Sequence, residues 1–198
     1  RCYGTSPGDV ATLGRAAANG LLDGGVLPVL KHVPGHGRTD LDSHFDLPRV
    51  DTELELLQDT DFVPFRALND LPMGMTAHVV YSDIDDAPAT LSPDTMRIVR
   101  EDIGFDGLIM TDDIGMKALS GTIPQIAQGA LAAGCDVILH CNAPLKDRIA
   151  CANAAGPMTA AAQTRADAAL AARRKPDDID IVELNAELEA LLGGRRYG

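Results

Sequence analysis

Gly107-Leu108-Ile109-Met110-Thr111-Asp112-Asp113 is the stretch that decides how this chain folds. Its apolar run is too short for a helix and suits a strand buried on both faces, and it stops abruptly at a hydroxyl and two carboxylates. The segment before it opens at Ser92-Pro93, a hydroxyl N-cap followed by proline at the first helical position, carries Met96, Val99 and Arg100, and closes at Gly104. The local unit is therefore a helix leading into a strand that ends in polar groups.

The same unit recurs on both sides. Downstream, Pro124 opens a helical pattern through Ile126, Ala127, Ala130 and Leu131 that Gly134 closes, and Asp136-Val137-Ile138-Leu139 is the next strand, ending at His140-Cys141-Asn142. Upstream, Met73-Gly74-Met75-Thr76-Ala77 is a strand ending at His78. Thr52 with Glu55 predicts a capping box for a helix running toward Leu68 past a break at Pro64. At the start, Ser6-Pro7 begins a helix with Val10, Leu13, Ala17 and Leu21 on one side, and Gly24-Gly25 stops it. Val26-Leu27-Pro28-Val29-Leu30 then reads as a strand ending at Lys31-His32, with Pro28 counting against regular pairing at its centre.

Four strands separated by helices predict parallel pairing with right-handed crossovers, so their C-terminal ends emerge on one face. Lys31, His32, His78, Asp112, Asp113 and Asn142 would gather there. Open α/β sheets and (β/α)8 barrels both keep their ligand sites on that face. A complete barrel takes about 250 residues. This chain has 198, so its four units look like half of one. From Thr159 to Leu192 two helical stretches flank Pro176-Asp177-Asp178 and read as outer packing helices.

A composition of 45% apolar and 23% charged residues fits one soluble globular domain. With 4% aromatics and no Trp, the core must be aliphatic. A net charge of −12 repels phosphate backbones and anionic lipid, so neither nucleic acid nor a membrane surface is an expected partner. No apolar run reaches the roughly 18 residues of a membrane span. Cys2, Cys135, Cys141 and Cys151 form no Cys-x-x-Cys pair and read as buried free thiols, which favours a reducing, cytoplasmic setting. The chain begins at Arg1 without Met, which leaves room for upstream sequence, a targeting segment included.

Lys31 to Pro48, KHVPGHGRTDLDSHFDLP, is the chemically densest segment, in a loop from Val33 to Val50 too long to be a mere connector. Its polar side chains can cap their neighbours. His32, His36 and His44 could in principle ligate zinc, although zinc pairs normally sit on a helix face or hairpin, which this Gly-Pro loop lacks. The third reading is catalysis.

In this order, KHVPGHGRTDLDSH, MTAHVVYSDID, ATLS and IGFDGLIMTDDIGMKAL closely resemble the motif series of family-3 glycoside hydrolases, the β-N-acetylhexosaminidases in particular, above all the bacterial type associated with peptidoglycan recycling. The resemblance runs from Arg1 to about Asn142 and is densest between Lys31 and Leu119. It implies an α/β fold, here the second half of a (β/α)8 TIM barrel, with residues 1–156 the barrel segment and 157–198 packing helices of the same domain. The upstream half of the barrel is then the partner that this chain lacks.

The resemblance also implies roles. Asp112 is the nucleophile of a retaining mechanism through a covalent glycosyl-enzyme intermediate, and Asp113 hydrogen-bonds its loop. The acid/base is a His from an Asp-x-His element, matched by Asp42-Ser43-His44, with Asp42 orienting His44. A His titrates near 6.5, which suits giving and then taking a proton at neutral pH. Lys31, His32 and Arg1 match groups that bind the sugar. His78 is a candidate for supporting them from behind. A loop-borne acid implies that the Val33–Pro48 segment closes over substrate.

Arg38 and Thr111 depart from the commoner pattern, and neither removes a catalytic group. The expected reaction is exo-hydrolysis of terminal β-linked N-acetylglucosamine from muropeptide or chitooligosaccharide-like substrates, with no metal and no organic cofactor. Phosphorolysis, and an inactive truncated sugar-binding fragment with exposed strand edges, remain alternatives.

Overall fold

The computed structural model describes residues 3–39 and 46–193. Arg1, Asp42 and His44 lie outside the described residues. Helix α1 (Pro7–Asp23) starts where Ser6 accepts the Asp9 N–H at 3.2 Å. Strand β1 (Val29–Val33) follows, then β2 (Arg49–Val50), helices α2 (Leu54–Asp59) and α3 (Val63–Ala67), β3 (Met73–Thr76) and β4 (Val80–Tyr81). A short 3-10 turn at Ala89–Leu91 leads into α4 (Pro93–Arg97), which widens into one π-helical turn at Ile98–Asp102. Next come β5 (Leu108–Asp113), α5 (Ile123–Ala133), β6 (Val137–Leu139), α6 (Leu145–Ala155), α7 (Ala160–Ala171) and α8 (Ile181–Leu192).

The expected parallel sheet is present, with order β1-β3-β5-β6. Val29, Leu30 and Lys31 pair with Met73, Gly74 and Met75, which pair in turn with Leu108, Ile109 and Met110. Met110 and Asp113 face Val137 and Leu139. All four strands run the same way, so their C-terminal ends share one edge of the fold. Helices cover the sheet through a largely aliphatic core that includes Leu57, Val99, Ile103 and Ile109, with Phe62, Tyr81 and Phe105 as its buried aromatic side chains.

Several sequence expectations need correcting. The first strand begins at Val29 rather than Val26, because Pro28 has no N–H to contribute to the ladder and Val26 is exposed. Lys31 and His32 consequently lie within β1 rather than beyond it; the peptides Lys31–His32 and Val33–Pro34 are cis, and the pairing register with β3 shifts between Lys31 and Val33. Thr52 and Glu55 form no capping box: Glu53 stands at the helix start, and the Leu54 N–H donates to Asp83 Oδ2 at 2.7 Å instead. A carboxylate from another loop thus does the work expected of a neighbour.

The segment read as one long loop contains β2, which pairs in parallel with β4. Helix α6 was not foreseen, since its sequence has no sustained apolar stripe and Cys151 is its buried residue. Cys135 and Cys151 are buried free thiols, but Cys141 is exposed. Helix α7 docks through Ala162 and Ala169 and through Arg165, which pairs with Asp106 and Asp136. Helix α8 has no buried residue.

Candidate active site

Asp112 stands near the C-terminal end of β5 because the run Leu108–Met110 places the polar residues of that strand just past the core. Its Oδ2 lies 3.2 Å from Nε2 of His32, a residue of β1, so the pair reaches across β3. Its Oδ1 accepts the Asp113 backbone N–H at 2.8 Å. Burial opposes ionisation, yet the His32 hydrogen bond and the Asp113 N–H outweigh it and bring the carboxyl down to about 2. At any pH near neutrality Asp112 is an anion with two donors on it, able to offer a lone pair but not a proton.

A cavity of about 950 Å³ opens beside this pair. Lys31, His32, Asp112 and Arg38 supply polar lining, and Leu30 and Leu68 supply apolar lining. Lys31 is exposed, which leaves its ammonium available to hydroxyl or carbonyl oxygens. His36 meets His32 edge to face with ring centroids 5.8 Å apart, and its Nδ1 is 2.7 Å from the Thr39 hydroxyl. Among the described residues no three His, Cys, Asp or Glu side chains come together as a metal site.

The flank of the site is anchored by residues that the sequence did not single out for this task. Arg38 Nε donates to Asp61 Oδ2 at 2.6 Å and its Nη2 to the Thr60 hydroxyl at 3.0 Å, while the Tyr81 hydroxyl donates to the Gly35 carbonyl. These contacts fasten Gly35–Thr39 to the turn between α2 and α3 and to β4. Asp61 and Tyr81 lie 23 and 46 positions away from their partners, beyond any local pattern.

Asp113 uses Oδ1 to accept the N–H groups of Gly115 at 2.9 Å and Cys141 at 3.0 Å, joining the loops after β5 and β6. Gly115 is closely approached: an added Cβ would lie 3.2 Å from Asp113 Oδ1 and from His140 Cε1, so a side chain there would press on both. The Cys141 thiol is pushed up, by partial desolvation first and then by the Asp113 and Asp112 carboxylates. His78 is 1% exposed, with Nε2 donating to the Asp113 carbonyl at 3.1 Å. Of the six residues expected to form the site, Asp112, His32 and Lys31 converge on one cavity.

Residues 1–171 match the family described as the glycosyl hydrolase family 3 N terminal domain. The β-hexosaminidase of Alkalilimnicola ehrlichii is 42% identical over 149 residues, covering 73% of this chain and 43% of that protein. The β-hexosaminidase of Chromobacterium violaceum is 43% identical over 149 residues, covering 73% of this chain and 42% of its own length. Among solved structures, a glycoside hydrolase family 3 β-N-acetylglucosaminidase from a Paenibacillus species superposes with a TM-score of 0.76 at 30% identity, over 90% of this chain and 38% of that one. NagZ from Neisseria gonorrhoeae, in complex with N-trifluoroacetyl-D-glucosamine, gives 0.73 at 32% identity, over 93% of this chain and 52% of that one. The chain thus spans less than half the length of these β-hexosaminidase relatives.

Proposed function

The chain belongs to glycosyl hydrolase family 3, and from that premise we propose that it carries the nucleophile-bearing part of a retaining β-N-acetylglucosaminidase. The observation that carries this reading is the Asp112 carboxylate, ionised and held by His32 and the Asp113 N–H beside a cavity that Lys31 also lines.

In the first step Asp112 forms a bond to the anomeric carbon as the glycosidic bond breaks, and the leaving oxygen takes a proton from His44, which Asp42 orients. In the second, His44 removes a proton from water, which attacks the same carbon and releases Asp112. Lys31, His32 and Arg1 bind sugar oxygens. Positive charge develops on the ring in both transition states, and an aspartate that stays ionised stabilises it. The substrates proposed are N-acetylglucosamine-terminated cell-wall muropeptide fragments or chitooligosaccharides. The proposed setting is cytoplasmic peptidoglycan recycling, with an upstream segment supplying the remaining strands of the barrel. No helix among the described residues is long and apolar enough to cross a membrane.

The test is cleavage of a chromogenic β-N-acetylglucosaminide by the natural full-length polypeptide that contains this sequence. Asp112→Asn should lower kcat by about three orders of magnitude or more, the scale set by loss of a nucleophile. Activity that survives Asp112→Asn would remove the assignment. A rate indifferent to added phosphate, with no sugar 1-phosphate formed, separates hydrolysis from phosphorolysis.

A further inference from the structure

The proposed chemistry gives His78 no task, yet the imidazole is among the most deeply buried polar groups in the fold, at 1% exposure. Burying a ring with two polar nitrogens is costly unless both are paired. Both are. Nε2 lies 3.1 Å from the Asp113 carbonyl oxygen, and since a carbonyl can only accept, Nε2 carries the proton. Nδ1 lies 2.7 Å from the Thr90 hydroxyl.

Burial, the leading influence on this ring, disfavours its charged form, against the opposing pull of the Asp113 carbonyl and of the Asp112 and Asp113 carboxylates. In the neutral ring Nδ1 is an acceptor, so Thr90 donates to it at 2.7 Å, sharing that hydrogen with the Ala77 carbonyl at 3.1 Å. Thr76, whose hydroxyl is 2.8 Å from that of Thr90, then donates to Thr90. Thr76 and Thr90 are as buried as His78. The result is a one-way chain from Thr76 through Thr90 and His78 to the Asp113 carbonyl, in which each bond polarises the next.

Asp113 is where this chain meets the reaction centre. Its backbone N–H donates to Asp112 Oδ1 while its own carbonyl accepts from His78, and the two peptide planes share one Cα. Its side chain is already committed to Gly115 and Cys141. We propose that His78 is a positioning residue for the nucleophile: by pinning the Asp113 carbonyl it fixes the orientation of the Asp113 N–H that holds the Asp112 carboxylate. The described groups that act on Asp112 are His32 from β1, His78 from beyond β3 and Asp113 on its own strand, while Asp112, Asp113 and His32 act on His78. Removing His78 therefore leaves His32 in place and loosens one of the two donors.

This inference rests on the proposed role of Asp112, and its test separates the two. In the natural full-length protein, His78→Leu should lower kcat on the chromogenic glycoside about a hundredfold with KM nearly unchanged, the scale of a small misplacement at a reacting centre. His78→Gln, whose amide nitrogen reaches the position of Nε2, should restore most of that loss. His78→Asn, whose amide reaches only the position of Nδ1, should not. Carbon-13 titration of the Asp112 carboxyl, assigned with Asp112→Asn, should show its pKa rising toward the ordinary aspartate range in the Leu and Asn variants and staying low in the Gln variant.

Leu, Gln and Asn variants that fall alike, or a Leu variant with unchanged kcat, would overturn the proposal. If His78→Leu does not fold, the contrast between Gln and Asn decides alone. If the parent protein turns over no β-N-acetylglucosaminide, the proposed function falls, and the carboxyl titration still decides the role of His78.

Discussion

Asp112 was visible in the sequence as the first carboxylate after a buried run, but nothing in its neighbourhood indicated how far its acidity would be shifted. Its low pKa has a consequence for stability as well as for chemistry. The folded carboxyl ionises at about 2, and an unfolded aspartate at about 3.9. Between those values the unfolded chain binds the proton and the folded chain does not. The stabilisation is therefore complete above about pH 5 and is lost as the pH falls through 2, and for a shift of this size it amounts to about 2 to 3 kcal/mol. Urea unfolding should accordingly show the parent and Asp112→Asn drawing together in stability between pH 5 and about pH 2 by that amount. A constant difference across that window would mean that His32 and the Asp113 N–H do not favour the charged form. Lys31 and His32 were equally legible as residues, but their place inside a strand was not, because Pro28 moved the strand start by three positions.

At the scale of elements, Ser6-Pro7 and Ser92-Pro93 look alike in the sequence, and both start helices as expected. Their surroundings differ. Ser6 is exposed, whereas Ser92 is fully buried, accepts the Thr95 N–H at 3.0 Å and donates to Asp85 Oδ2 at 2.6 Å. Ser92→Ala strands a buried N–H and frees a carboxylate, so it should cost about 2 kcal/mol, whereas Ser6→Ala should cost about half of that. Thermal or denaturant unfolding of the two variants checks the ratio, and equal losses would show that burial is not what separates them. Local motifs of this kind were readable because their partners lie within a turn. The left-handed Gly134 at the end of α5, with φ of 118°, belongs to the same class, whereas the Thr122–Gln125 capping box that starts α5 was not read from the sequence. The false capping box at Thr52 and the unforeseen Arg38–Asp61 tie show the opposite case, in which a distant carboxylate decides the outcome.

For the whole molecule, the order β1-β3-β5-β6 leaves β1 and β6 as the outer strands of the main sheet among the described residues. Helix α8 adds exposed Ile181, Val182, Leu184, Leu188 and Leu191. Unpaired strand edges and a bare apolar face both favour association. A polypeptide of these 198 residues should sediment as concentration-dependent oligomers, and a strictly monomeric profile up to about 100 µM, well into the range where exposed edges associate, would contradict this. The position of the outer strand matters for one more reason. His32, which supplies one of the two hydrogen bonds that keep Asp112 charged, belongs to β1, one of the two outer strands of the main sheet among the described residues. Warming a polypeptide of these 198 residues alone would loosen such an outer strand early, so the Asp112 carboxylate would lose a donor while the aliphatic interior still stood.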